Sequence, residues 1–188
     1  PISGRDVILA NQIAFYDNPE RFTESMAKIC DELEERIKDK TGIVENGTPR
    51  LMFSGCPMAA PNWKLPFVVE TSGAVIVGEE SCVGTRNTRD LVDESGSTIE
   101  KMIENIVDRY MQINCAVFTP NDKRIEQIVE MAKDLNVDGV IHYSLQFCQP
   151  YTIESYRVEQ ALEKEGIPLL KIETDYSMED MEILKNRV

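Results

Sequence analysis

Residues 51–63 read LMFSGCPMAAPNW. A short apolar run stops at Gly55-Cys56-Pro57, and the chain then passes through small residues to Trp63. A run of this length bounded by Gly and Pro reads as a buried strand, here Arg50 to Ser54. Trp63 to Thr71 follows with helical character, stopped by Gly73. A strand feeding a helix is half of a βαβ unit, and the same signal recurs along the chain. Ala74 to Gly78, Val137 to Leu145 and Pro168 to Glu173 are three further apolar runs. Among them lie amphipathic helices. Ser97-Thr98-Ile99-Glu100 has the capping-box form and opens a helix toward Met111. Asn121 begins another, through Ile125, Ile128, Val129, Ala132 and Leu135; Thr152 to Glu165 is a third, ended by Gly166; Ser177 caps a last one. The alternation predicts a doubly wound α/β fold, a mostly parallel four-stranded sheet with flanking helices. Right-handed crossovers put every strand's carboxyl end on one edge, where such folds hold ligands.

Ahead of the sheet, residues 1–48 form an N-terminal helical segment, two helices broken near Asp17-Asn18-Pro19. In the second, Phe22, Met26, Ile29, Cys30, Leu33 and Ile37 follow one stripe, and on it Cys30 reads as a buried thiol acting as a small hydrophobe. Gly42 and Gly47-Thr48-Pro49 mark the exit. The segment is expected to link an upstream domain to the α/β domain of residues 49–188.

The chain carries 20 basic and 33 acidic side chains among 188 residues, a net charge of −13. That field repels nucleic acid and anionic membranes, so neither is an expected partner. No apolar run approaches a membrane span, and nothing resembles a signal peptide. Five cysteines without a secretory signal suit a reducing, cytoplasmic setting, and an odd number argues against a full disulfide framework.

Three of those cysteines follow strands: Cys56 the first, Cys82 the second, Cys148 the third. Cys115 lies in the connection between two helices. Each stands near Gly or Pro, which lets the backbone turn sharply and present a side chain. Four unrelated loop thiols are one reading and a shared site the other. No CxxC pair supports a dithiol or zinc ribbon, and the lone His142, inside a strand, reads as core or sheet surface. Thiolates gathered from separate loops, with glycines supplying N–H donors, best suit an iron–sulfur cluster. Arg86 and Arg89 follow Cys82 and either offset cluster charge or line a solvated helix start. GxGxxG and Walker A motifs are absent, leaving Gly84-Thr85-Arg86 as a weak anion-binding element. Tyr16, Tyr143, Tyr151, Tyr156 and Trp63 each read as core or surface packing. A non-catalytic α/β module with structural thiols, holding a CoA-like or nucleotide ligand, is the alternative function.

The segments SGCP, NWK, ETSGAVIVGEESCVGTR, DLVDE, DRYMQINCAVFTPN, DGVIHYSLQFCQPY and EGIPLLKIETDYS occur in this order. Together they resemble the 2-hydroxyacyl-CoA dehydratase family, which includes 2-hydroxyglutaryl-CoA dehydratase and the benzoyl-CoA reductase subunits. The resemblance runs from about Gly4 to the end and matches the carboxyl-terminal half of a family subunit. It implies an oxygen-sensitive [4Fe-4S] cluster held between two α/β domains, with Cys148 as the ligand from this half. It further implies an ATP-hydrolysing activator iron–sulfur protein, a partner or identical subunit in a dimer, and an acyl-CoA or small-molecule substrate. Cys56 departs from the dehydratase pattern. Four strand-end or loop cysteines are similar to the double-cubane branch, in which Cys56, Cys82, Cys115 and Cys148 would all be ligands, with Gly84 and Arg86 as neighbours. The expected function is then radical dehydration of a 2-hydroxyacyl-CoA, or reduction of a small molecule at a double cubane.

Overall fold

A computed structural model describes residues 1–188. Four strands, β1 (Arg50–Gly55), β2 (Val75–Glu79), β3 (Gly139–Leu145) and β4 (Leu169–Thr174), form one sheet in the order β2-β1-β3-β4. All three pairings are parallel. The expected doubly wound α/β fold with four strands is therefore present.

Alternation along each strand divides the core between the two faces. Phe53, Ile76, Ile141, Tyr143 and Ile172 face one side, and Ile8 of α1 (Gly4–Ile13), Val68 of α3 (Lys64–Thr71) and Leu184 of α8 (Met181–Lys185) pack there. Met52 and Val140 face the other side. They meet Ile128 and Ala132 of α6 (Asp122–Asp134), and Val158 and Leu162 of α7 (Gln149–Lys164). Burial of these side chains stabilises the fold by about 1.5–3 kcal/mol each. α1, within the N-terminal helical segment, is part of this packing.

Two helices stand apart. α2 (Pro19–Lys38) buries no residue at all. Cys30 is therefore exposed, correcting the expectation of a packed thiol. Its stripe follows the helical period, but Phe22, Met26, Ile29 and Leu33 are only half-buried and Ile37 is exposed. α5 (Ile99–Met111) buries only Asn105 and Arg109.

Several boundaries shift with local chemistry. The cap of α5 is Thr98 rather than Ser97, its hydroxyl accepting the Lys101 N–H at 3.2 Å. Asn121 precedes α6 without a side-chain cap bond; its Nδ2 donates to the Cys115 carbonyl at 2.9 Å and to Glu154. Asp180, not Ser177, occupies the cap position of α8. α7 starts at Gln149, three residues before Thr152, directly on the end of the β3 turn. A single short turn, α4 (Thr85–Thr88), follows β2.

Candidate functional site

Parallel strands bring three cysteines to one sheet edge, as their order predicts. β1 closes at Gly55, whose φ is +110°; a Cβ there would lie 2.1 Å from the Tyr143 carbonyl oxygen. Only glycine fits that approach, and it seats the next residue so that the Cys56 N–H donates to Tyr143 O at 2.8 Å. The thiol points inward: Cys56 is 5 % exposed and belongs to the core. Its sulfur accepts the Leu145 N–H at 3.4 Å and neighbours Cys148. Burial pushes the Cys56 thiol up to about 12, only partly offset by that N–H. After β3, exposed Phe147 takes a left-handed φ of +69°, a conformation bulky residues rarely adopt. The turn delivers half-buried Cys148 to the cap position just before α7, its N–H donating to Leu145 O at 2.8 Å. Cys82 is exposed after β2, and Cys115 half-buried between α5 and α6.

Arg86 is buried, so of its two readings the solvated helix start does not hold. Its Nη1 donates to the Cys82 sulfur at 3.3 Å and to the Tyr151 hydroxyl at 2.8 Å, while Nη2 donates to Glu80. Cys115 Sγ lies 4.0 Å from the same Tyr151 oxygen. Burial works against the Arg86 charge, but Glu80 and Tyr151 outweigh it and hold the guanidinium protonated. Arg89, by contrast, forms a more exposed pair with Glu130 at 2.9 Å.

Beneath lies Arg124, wholly buried and not singled out from the sequence. It donates to Glu80 at 3.1 and 2.8 Å, to Ser54 Oγ at 3.2 Å and to Glu154. Its guanidinium carbon stands 5.1 Å over the Tyr151 ring. Glu154 also accepts from Asn121 Nδ2 at 2.7 Å. Two arginines and two glutamates thus balance in a closed network; unpaired, each buried charge would cost several kcal/mol. A signal existed in the sequence. Arg124 is in register with Ile128 and Ala132 on the apolar stripe of α6, and Glu154 with Val158 and Leu162 on that of α7. A charge on a buried stripe demands a buried partner.

The remaining candidates have structural roles. Gly84 allows close approach: a Cβ would lie 2.4 Å from Glu79 O and 2.7 Å from Glu79 Oε2. Glu79 accepts from Ser81 Oγ, its Oε2 has no partner, and burial raises its carboxyl to about 7. His142 is core, as read; burial and Arg124 lower it to about 4, so the ring is neutral at pH 7. Tyr143 and Tyr151 are buried, Trp63 packs against the core, and Tyr16 and Tyr156 are exposed.

The structure thus joins Cys82 and Cys115 through Arg86 and Tyr151, and sets Cys56 against Cys148. No three Cys, His, Asp or Glu side chains of this chain are grouped to hold a metal ion by themselves. All five thiols are free. No helix is long and apolar enough to cross a membrane.

The family model for 2-hydroxyglutaryl-CoA dehydratase, D-component, matches residues 1–188. A putative dehydratase subunit of Escherichia coli K12, YjiM, is 34% identical over 141 residues, covering 74% of this chain and 36% of the relative. The (R)-phenyllactyl-CoA dehydratase beta subunit of Clostridium sporogenes is 28% identical over 170 residues, 90% of this chain and 42% of the relative. The chain therefore spans well under half the length of these relatives. Matched over its whole length, it belongs to the 2-hydroxyglutaryl-CoA dehydratase D-component family.

Proposed function

We propose that this chain contributes thiolates to an iron–sulfur cluster in a 2-hydroxyacyl-CoA dehydratase-type enzyme, the other ligands coming from outside it. The observation that carries this reading is the juxtaposition of Cys82, Arg86, Tyr151 and Cys115 on the strand-end edge that also ends in Cys148. When bound, the cluster supplies one-electron transfer. The chain's own residues prepare the place. Cys148, Cys82 and Cys115 present sulfur. Arg86 donates an N–H to the Cys82 sulfur, and its charge offsets that of thiolates. Glu80, Arg124 and Glu154 hold Arg86 and Tyr151 from below. The buried, hydrogen-bonded sulfur of Cys56 supports packing under Cys148 more than ligation, which favours a single [4Fe-4S] cluster over a double cubane.

On this reading the whole enzyme works with a second subunit and an ATP-hydrolysing activator. It dehydrates a 2-hydroxyacyl-CoA in the cytoplasm, where free thiols persist. The test is an anaerobic assay of the full-length protein with its partner subunit, activator, ATP and a 2-hydroxyacyl-CoA, reading enoyl-CoA formation. Turnover should require ATP and activator, vanish in Cys148→Ser and survive Cys30→Ser. Undiminished turnover in Cys148→Ser would overturn the assignment.

A further inference from the structure

Helix α5 turns its polar side to its own domain. Asn105 Nδ2 donates to the Asp93 carbonyl at 2.7 Å, and Arg109 donates to the carbonyls of Asp90, Arg86 and Asn87. These anchors fix the rotation of the helix. Its apolar stripe of Ile99, Met102, Ile103, Ile106 and Tyr110 is left 42 to 73 % exposed. Leu91, 87 % exposed in the preceding loop, adds to the exposed apolar surface around α5. A 13-residue helix with its stripe outward and polar groups buried leaves an apolar surface that water does not favour.

Charge narrows the occupant. Asp93, Glu94, Glu100, Glu104 and Asp108 are exposed on α5 or just before it, and the one exposed cation of the helix, Lys101, pairs with Glu104 at 3.2 Å. A second copy would bring acid to acid and −13 to −13, and an anionic bilayer is repelled in the same way. We infer that the α5 face docks a different protein subunit, one presenting an apolar helix or groove rimmed by lysine and arginine. This holds whether or not the cysteine edge carries a cluster.

A synthetic helix of leucine and lysine, LKKLLKLLKKLLKL, mimics that chemistry. Titrated into the isotope-labelled chain at 0.15 M salt, it should shift amide signals within residues 91–111. Binding should weaken at least about tenfold in Ile103→Asp/Ile106→Asp, although that variant attracts the basic peptide more strongly. Loss of affinity therefore reports the apolar contact. Equal affinity, or shifts elsewhere, overturns the proposal. Two further results also overturn it: self-association in ultracentrifugation that the double substitution abolishes, or failure of the full-length protein to bind the peptide, its own polypeptide then covering the face. Both isoleucines are exposed, so circular dichroism should be unchanged; should the double variant unfold, Met102→Glu repeats the measurement.

Discussion

Glu79 and His142 are buried and titrate away from their ordinary values in opposite directions. In the unfolded chain Glu79 ionises near 4.5, but folded only near 7. Its contribution to stability is full below pH 4.5 and is lost as pH rises to 7. His142 gains its proton near 6.5 unfolded and near 4 folded, so its contribution is full above pH 6.5 and lost as pH falls toward 4. The two slopes oppose one another between pH 4.5 and 6.5. Glu79→Gln removes one of them. The stability of that variant relative to the parent, from urea unfolding, should rise with pH between 4.5 and 7 by up to about 1.4 kcal/mol per unit. A flat difference would show that Glu79 is not held neutral. Arg124→Met tests the network below the cysteines: leaving Glu154 buried without its cation, and Glu80 with Arg86 alone, should cost about 3–5 kcal/mol in the same assay. A change under about 1 kcal/mol would mean the network is dispensable. At this scale the sequence was partly legible. His142 in a strand reads as core or sheet surface, and it is buried. Arg124 stands on a buried stripe, a signal of a buried partner, but which partners is not visible, because Glu80 and Glu154 lie 44 and 30 positions away.

The elements themselves were more legible than their ends. Each strand follows from an apolar run between Gly, Pro or polar breaks, and all four exist within a residue or two of their expected spans. Caps depend on which of two neighbouring hydroxyls reaches the third N–H, a choice of backbone geometry rather than residue type. Ser97-Thr98 is such a pair, and Thr98 makes the bond. Thr98→Ala should therefore cost about 1 kcal/mol in thermal unfolding, and Ser97→Ala under about 0.5. The reverse ranking would return the cap to Ser97. Strand order was not legible, since four equally apolar runs carry no sign of which is the edge. The half-covered stripe of α2 and the exposed stripe of α5 were not legible either. The helical period gives the stripe, but whether anything covers it depends on other elements.

At the scale of the whole molecule, the parallel sheet makes the candidate site. With every strand running one way, Cys56, Cys82 and Cys148 must emerge on one edge, where Tyr151 of α7 meets Arg86 and the α5–α6 connection brings Cys115 to Tyr151. The shared edge of Cys56, Cys82 and Cys148 could be read from strand–helix alternation; the meeting of Cys115 and Tyr151 with Arg86 could not. The inward turn of Cys56 could not, because it depends on the left-handed Gly55 packing against β3. The chain also spans well under half the length of its relatives, and on the proposed reading the remaining ligands come from outside it. Iron and acid-labile sulfide in the anaerobically purified full-length protein test the cluster most directly. The expected result is about four irons per chain, characteristic of one [4Fe-4S] cluster, retained in Cys56→Ser and lost in Cys148→Ser. Absence of iron, or iron content unchanged by Cys148→Ser, would contradict it.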